Sequence, residues 1–146
     1  MTDSIQVSTT IDVPAEEIWA GLTRPNLIKT NFFGATVDTD WKPGSRISWT
    51  GEYKGKRFQD KGQIKEFEPN KRLSMTHWSP LSGLADSPAN YHIVVYDLEP
   101  NGGPRNTKLT ITQRNLTGSM LHTSKKNWEG VLEGIERTVM RNDGDR

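Results

Sequence analysis

The chain has 146 residues, no cysteine and a formal net charge of +1 at pH 7. The lack of cysteine excludes disulfides, thiolate metal sites and cysteine nucleophiles, and the small charge gives no reason to expect binding to nucleic acid or an anionic membrane. The length predicts a single domain over residues 1–146, with a core at about 5–140. The first ten residues lack a signal-peptide pattern and no apolar run could span a membrane, so we expect a cytoplasmic protein.

The first part of the chain predicts a strand and two short helices. Ile5–Asp12 alternates apolar and polar residues, which is typical of a half-buried strand. Pro14 suits the first turn of a helix, and Pro25 ends that helix. A second short helix is predicted over Pro25–Phe33.

The middle of the chain predicts six more strands joined by short turns, which favours an antiparallel meander because parallel strands need long crossovers. Gly62 is a candidate bulge where the sheet bends, and Pro80–Asn90 is predicted to be a mobile surface loop. The predicted strands are Ala35–Asp40, Arg46–Tyr53, Arg57–Phe67, Arg72–Trp78, Tyr91–Leu98 and Thr107–Asn115.

The C-terminal segment Ser119–Met140 predicts one amphipathic helix of roughly 30 Å. A single long helix that follows a run of strands must lay its apolar stripe across the sheet. The predicted fold class is therefore α+β: a curved antiparallel sheet of about six to seven strands around a long C-terminal helix, with two short helices after the first strand. The apolar stripe consists of Leu121, Trp128, Val131, Leu132, Ile135 and Val139.

This order of elements, with several short motifs, resembles the SRPBCC superfamily, also called START-like or birch-pollen-allergen-like. The most similar branch is the one named for the activator homologue of the ATPase of heat shock protein 90. The motifs are Ile11–Trp19, Trp41–Gly44, Gly62–Pro69 followed by Arg72–Leu73, Thr107–Gln113 and the helix that contains Trp128.

The resemblance implies a helix-grip fold with an apolar cavity between the sheet and the long helix. Relatives bind lipids, sterols, polyketides or other small hydrophobic molecules, and a few are cyclases or hydrolases. It also implies a possible chaperone partner and a link to stress. Family membership predicts the fold better than the function.

Aromatic and aliphatic side chains at inward phases are the candidate ligand-binding residues, because apolar pockets are lined by such groups. The alternative is that these side chains only fill the core. The candidates for the lining of the cavity are Trp19, Phe33, Trp49, Phe58, Met75, His77, Trp78, Tyr91, Trp128 and Leu132.

Polar candidates are few. His77 shares a strand side with Leu73 and Met75, so a neutral imidazole there could bind a polar ligand group or act as a base; in the alternative register, Trp78 points inward instead. Three carboxylates, Glu52, Asp60 and Glu66, share a strand side with apolar neighbours, but an inward carboxylate is costly, so the preferred interpretation is solvated strand ends. The three histidines lack metal-ligand spacing and no nucleophile motif or phosphate loop occurs, so no metal, cofactor or catalytic residue is predicted.

Three functions follow, in order of preference. The first is a non-catalytic binding protein for a small hydrophobic ligand, as a monomer or homodimer. The second is an enzyme of the cyclase or dehydratase type that uses His77 or a pocket acid as a general base. The third is a stress-related interaction protein that resembles the co-chaperone. The sequence does not identify the ligand. It also leaves open whether some side chains of the middle strands point inward or outward.

Overall fold

The computed structural model describes residues 3–32 and 34–144 and contains seven strands and three α-helices in that part of the chain. Two single 3₁₀ turns, Pro80–Ser82 and Pro88–Asn90, lie in the segment predicted to be a loop. The elements in chain order are β1 (Asp3–Ile11), α1 (Ala15–Thr23), α2 (Pro25–Asn31), β2 (Thr36–Thr39), β3 (Arg46–Tyr53), β4 (Lys56–Glu68), β5 (Arg72–His77), β6 (His92–Pro100), β7 (Thr107–Leu116) and α3 (Gly118–Gly144).

All seven strands form one antiparallel sheet in the order β1-β7-β6-β5-β4-β3-β2. Strands β2 to β7 follow one another through short turns, except for the longer segment 78–91 between β5 and β6, as the meander pattern predicts. The first strand closes the series by pairing with the last, with Val7 opposite Ile111. The predicted α+β helix-grip fold, with two short helices after the first strand, is confirmed.

The core lies between the concave face of the sheet and the helices. Strand alternation places one set of side chains on this face, and the register aligns them across strands: Met75 is opposite both Ile64 and Val94. Helix α3 contributes Val131, Leu132, Ile135 and Val139, all buried in the same cluster. Other buried members of the cluster are Ile11, Ile18, Leu22, Ile47, Leu73, Leu109 and Ile111.

The two short helices, α1 and α2, pack against both the sheet and α3. Pro25 occupies the first turn of α2, where a missing N–H costs no hydrogen bond. Gly21 of α1 lies against Ile135 and Val139, so the absence of a side chain there lets α1 and α3 approach each other. These contacts fix the end of α3 that is remote from its start.

Gly62 is required for a close approach between strands, and the irregularity of the sheet lies elsewhere. The register between β4 and β5 shifts between Ile64 and Glu66, three residues beyond the predicted bulge. A Cβ atom at Gly62 would lie 1.8 Å from the carbonyl oxygen of Thr76. Only glycine lets the backbones of β4 and β5 come this close.

Helix α3 begins one residue before and ends four residues beyond the predicted Ser119–Met140. Its exposed face is rich in Lys and Glu, as the amphipathic pattern requires. Within residues 3–32 and 34–144, no helix combines the length and apolar character that crossing a lipid bilayer requires.

Candidate functional site

Four side chains from four neighbouring strands meet at one end of the concave face. Trp49 on β3 is paired in register with Asp60 on β4, and His77 on β5 is paired with His92 on β6. Each has the same phase as the core residues of its strand, so all four side chains point to the side that α3 covers. We call Trp49, Asp60, His77 and His92 the polar cluster.

Asp60 and His77 form a hydrogen-bonded pair in the polar cluster. The Nε2 atom of His77 lies 2.8 Å from Oδ2 of Asp60, and the side chains are 27% and 15% exposed. Because a carboxylate can only accept, Nε2 carries the hydrogen and donates it. The second oxygen, Oδ1 of Asp60, is buried and accepts no hydrogen bond from any residue that the structure describes.

His92 lies beside His77 and is more deeply buried. The two rings are stacked, with centroids 6.3 Å apart, and His92 is 6% exposed. Its Nδ1 atom donates to the carbonyl oxygen of Asn115 across 2.9 Å. Burial lowers the pKa of His92 below its ordinary value, although the hydrogen bond to Asn115 acts in the opposite direction. His92 is therefore a neutral imidazole at pH 7.

Two half-buried tryptophans, Trp49 of the polar cluster and Trp128 of α3, lie on the concave side of the sheet. The ring of Trp49 meets His77 edge-on, with centroids 5.2 Å apart. Trp128, at the middle of α3, packs edge-on against Tyr96 and donates its Nε1 hydrogen to Oε1 of Gln113 across 2.7 Å. Both tryptophans are half-buried, so each presents part of its ring to solvent or to a ligand.

The side of α3 that faces the sheet is more deeply buried in its C-terminal half than in its N-terminal half. In the C-terminal half of α3, Val131 and Ile135 are buried, whereas Leu121 and Ser124 in the N-terminal half are only half-buried. The start of α3 follows directly from the end of β7, next to the strand ends that carry the polar cluster. The less buried half of α3 and the polar cluster therefore lie toward the same end of the sheet, which we call the open end of the grip.

The ten sequence-predicted site residues fall into separate places. Trp19, Met75 and Leu132 are buried in the core, Trp49 and His77 lie in the polar cluster, and Trp128 packs against Tyr96 and bonds to Gln113. Phe58 has the inward phase but covers Gly51 near the β3–β4 hairpin. Phe33 lies outside the described residues.

Trp78 and Tyr91 lie on the opposite, convex face of the sheet. Each directly adjoins an inward-facing histidine, so strand alternation turns both outward, where they stack with centroids 6.4 Å apart. A hydrogen bond to Asp86 raises the pKa of Tyr91 to about 12. The alternative register, with Trp78 pointing inward, is therefore not the one adopted.

A depression of about 530 Å³ adjoins this convex face, where β3 and β4 extend past the end of β5. Lys61 lies over the ring of Trp78 at 5.6 Å and forms an ion pair with Asp86. The walls of the depression are formed by Thr50, Arg57, Phe58, Gln59, Lys61, Trp78 and Pro80.

Sequence reasoning missed three polar residues of the site. Asp60 was interpreted as a solvated strand end, yet its phase matches that of Ile64, and its bond to His77 offsets the cost of burial. The sequence presents His92 only as one of three histidines without metal-ligand spacing, and nothing in it singles out Gln113. Glu66 is a surface group: it lies beyond the register shift, and the hydrogen bond from Arg72 (2.6 Å) lowers its pKa.

No three His, Cys, Asp or Glu side chains in the described part of the chain are arranged to hold a metal ion. The polar cluster offers hydrogen-bond acceptors at Asp60 and His77. Its aromatic neighbours can supply apolar contact.

The comparisons with known proteins agree with the fold. A search of curated proteins finds no match. The solution structure of ChR145 from Cytophaga hutchinsonii is 38% identical, with 97% of both chains covered and a TM-score of 0.81. Protein MLL2253 from Mesorhizobium loti is 26% identical over 95% of this chain and 98% of its own, with a TM-score of 0.76.

SA2116 from Staphylococcus aureus, a protein of unknown function, is only 11% identical and shows the fold alone, with a TM-score of 0.81 over 100% of this chain and 98% of its own. The family model described as "Activator of Hsp90 ATPase homolog 1-like protein" matches residues 12–140, which is most of the chain. The chain therefore belongs to the family of Activator of Hsp90 ATPase homolog 1-like proteins.

Proposed function

We propose that the protein binds a small hydrophobic molecule, without chemical conversion, at the open end of the grip between α3 and the sheet. The observation that carries the proposal is the contact of half-buried Trp49 with His77, which is bonded to Asp60, on the same face of the sheet as half-buried Trp128. Ligand sites commonly combine apolar walls with a small number of convergent polar groups.

The packing of α3 supports this location. The apolar stripe of α3 is buried in its C-terminal half, and its exposure increases toward Leu121. A ligand that inserts beside Trp128 would bury apolar surface that the folded chain leaves half-exposed, and this burial is favourable at about 25 cal/mol per Å². The polar cluster would hold the ligand's polar end.

Native mass spectrometry of the purified protein, with a thermal-shift screen of lipids, sterols and flavonoids, tests the proposal. We expect a co-purified or added apolar compound to raise the melting temperature. Trp128→Ala should abolish that shift, while Trp78→Ala, the matched change on the convex face, should leave it intact. No bound compound and no shift with any apolar compound would falsify the proposal.

A second candidate function is general-base catalysis by His77. The Asp60–His77 hydrogen bond favours it, because a carboxylate that accepts from one imidazole nitrogen leaves the other as a base and stabilises the imidazolium. The probe 5-nitrobenzisoxazole reports such a base: His77 would take the C3 proton, the ring N–O bond would break to give a cyanophenolate, and the imidazolium would return its proton to water. A rate that is equal in the wild type and in His77→Gln would remove this candidate.

The third candidate is the interaction with a chaperone ATPase that gives the family its name. It ranks below the others because it rests on the family description alone. Adding the purified protein to heat shock protein 90 and measuring ATP hydrolysis tests it, and an unchanged rate of hydrolysis would exclude it.

A further inference from the structure

We infer that the polar cluster selects hydrophobic molecules whose polar end donates a hydrogen bond, such as an alcohol or a phenol, over molecules that end in a carboxylate. The inference rests on the proposed binding function and adds the chemical class of the ligand. It is carried by the acceptor atoms that the Asp60–His77 pair leaves without partners.

The first acceptor is Oδ1 of Asp60. It is buried, faces the concave side of the sheet, and receives no hydrogen bond from the described residues. An unpaired buried carboxylate oxygen is costly. A ligand O–H group placed there would remove that cost.

The second acceptor is Nδ1 of His77. Because Nε2 donates to Oδ2 of Asp60 across 2.8 Å, a neutral His77 ring has its lone pair on Nδ1. His92 does not compete as a donor to this site through Nδ1, which is engaged by the carbonyl oxygen of Asn115. The Asp60–His77 pair therefore offers two acceptors on one side of the sheet.

The surrounding charges do not favour an anion. The inward positions at this end of the sheet on β3 to β7 carry Trp49, Asp60, His77, His92 and Gln113, and none of these is Lys or Arg. Lys61 is on the convex face, where it is paired with Asp86, and Lys125 and Lys126 are exposed on α3. A ligand carboxylate would meet the carboxylate of Asp60 without a compensating cation, which disfavours binding.

Matched naphthalene probes test the inference on the wild-type protein. The dissociation constants of 2-naphthol, 2-naphthoate and 2-methylnaphthalene are measured by isothermal titration at pH 7, where 2-naphthol is neutral and 2-naphthoate is charged. We expect the dissociation constant of 2-naphthol to be lower than that of 2-naphthoate by about ten-fold or more. It should also be lower than that of 2-methylnaphthalene. Dodecanol and dodecanoate form a second pair with the same polar difference on a flexible chain.

Asp60→Asn assigns the preference to the cluster. The amide adds donor hydrogens and removes the charge, so the ratio between the alcohol and the carboxylate should fall toward one. Asp86→Asn, the matched change on the convex face, should leave the ratio unchanged. A 2-naphthoate that binds as tightly as 2-naphthol, or an Asp60→Asn ratio equal to the wild-type ratio, would overturn the inference and leave the proposed function standing. Failure of every probe to bind would overturn both.

Discussion

The Nε1 atom of Trp128 donates to Oε1 of Gln113 across 2.7 Å and thereby ties the middle of α3 to β7. Gln113 is buried and lies opposite Val94, a member of the core cluster, so the bond is made on the core face of the sheet. The same ring packs edge-on against Tyr96. The position of α3 over the sheet thus depends on one polar contact as well as on apolar packing.

Trp128→Phe should destabilise the protein by about 1–2 kcal/mol, because it keeps an aromatic ring but leaves the Gln113 oxygen unpaired. The free energy of unfolding in urea, followed by circular dichroism, measures this loss. Trp78→Phe is the control: its Nε1 donates across 3.3 Å to the carbonyl oxygen of Leu84 at an exposed position, so a smaller loss is expected. Equal losses in the two variants would show that the Gln113 bond has no special role.

Gly62→Ala should destabilise the protein by about 3 kcal/mol or more, because the added Cβ would overlap the Thr76 carbonyl and separate β4 from β5. Gly130→Ala is the matched control. It lies on the exposed side of α3 with no atom within 4 Å of the added Cβ, so it should stabilise the helix by about 1 kcal/mol. Thermal unfolding of the two variants compares them directly, and a folded Gly62→Ala protein of wild-type stability would contradict the close approach.

Much of the fold could be predicted because its signals are local. The alternation of β3 and β7 and the apolar stripe of α3 each predict an element and the face that it buries. The site could not be read in the same way, because its pairs are distant in sequence. Asp60 and His77 are 17 residues apart, and Trp128 and Gln113 belong to different elements.

Two details show where local reasoning fails. The alternation of β5 alone allows either His77 or Trp78 to face the core. The direction is decided by the register, in which Met75 and Val94 are paired on the core side. For Asp60, the pattern of β4 indicates an inward direction, but burial of a carboxylate looks unfavourable until its partner is known. The free-energy cost of burying a polar side chain depends on its partners on the neighbouring strand. The sequence of one strand does not reveal those partners.

Thr107→Val should destabilise the protein by about 1–3 kcal/mol, although the side chains have nearly the same shape. The Thr107 hydroxyl donates to the carbonyl oxygen of Val13 across 2.9 Å in the core and joins the start of α1 to β7. Thr110→Val, the same change at a half-buried position of the strand, should alter stability by less than about 0.5 kcal/mol. Urea unfolding of both variants gives the difference, and a Thr107→Val loss no larger than that of Thr110→Val would contradict this role.

The stability of the protein should fall in mild acid because of His92. Burial lowers the pKa of His92 below its ordinary value of 6.5, so the unfolded chain takes up a proton at a higher pH than the folded protein does. The stabilisation is fully present above pH 6.5 and is lost as the pH falls toward the folded-state pKa. The slope for one proton cannot exceed about 1.4 kcal/mol per pH unit.

Urea unfolding at pH 7.5 and pH 5.5 measures this dependence, and the quantity of interest is the change between the two pH values. His92→Gln should reduce that change, since the amide does not titrate, even if the variant is less stable at both pH values. His122→Gln, at an exposed position on α3, should show the same change as the wild type. If His92→Gln loses as much stability between the two pH values as the wild type does, the acid sensitivity belongs to other groups and not to the buried imidazole beside His77.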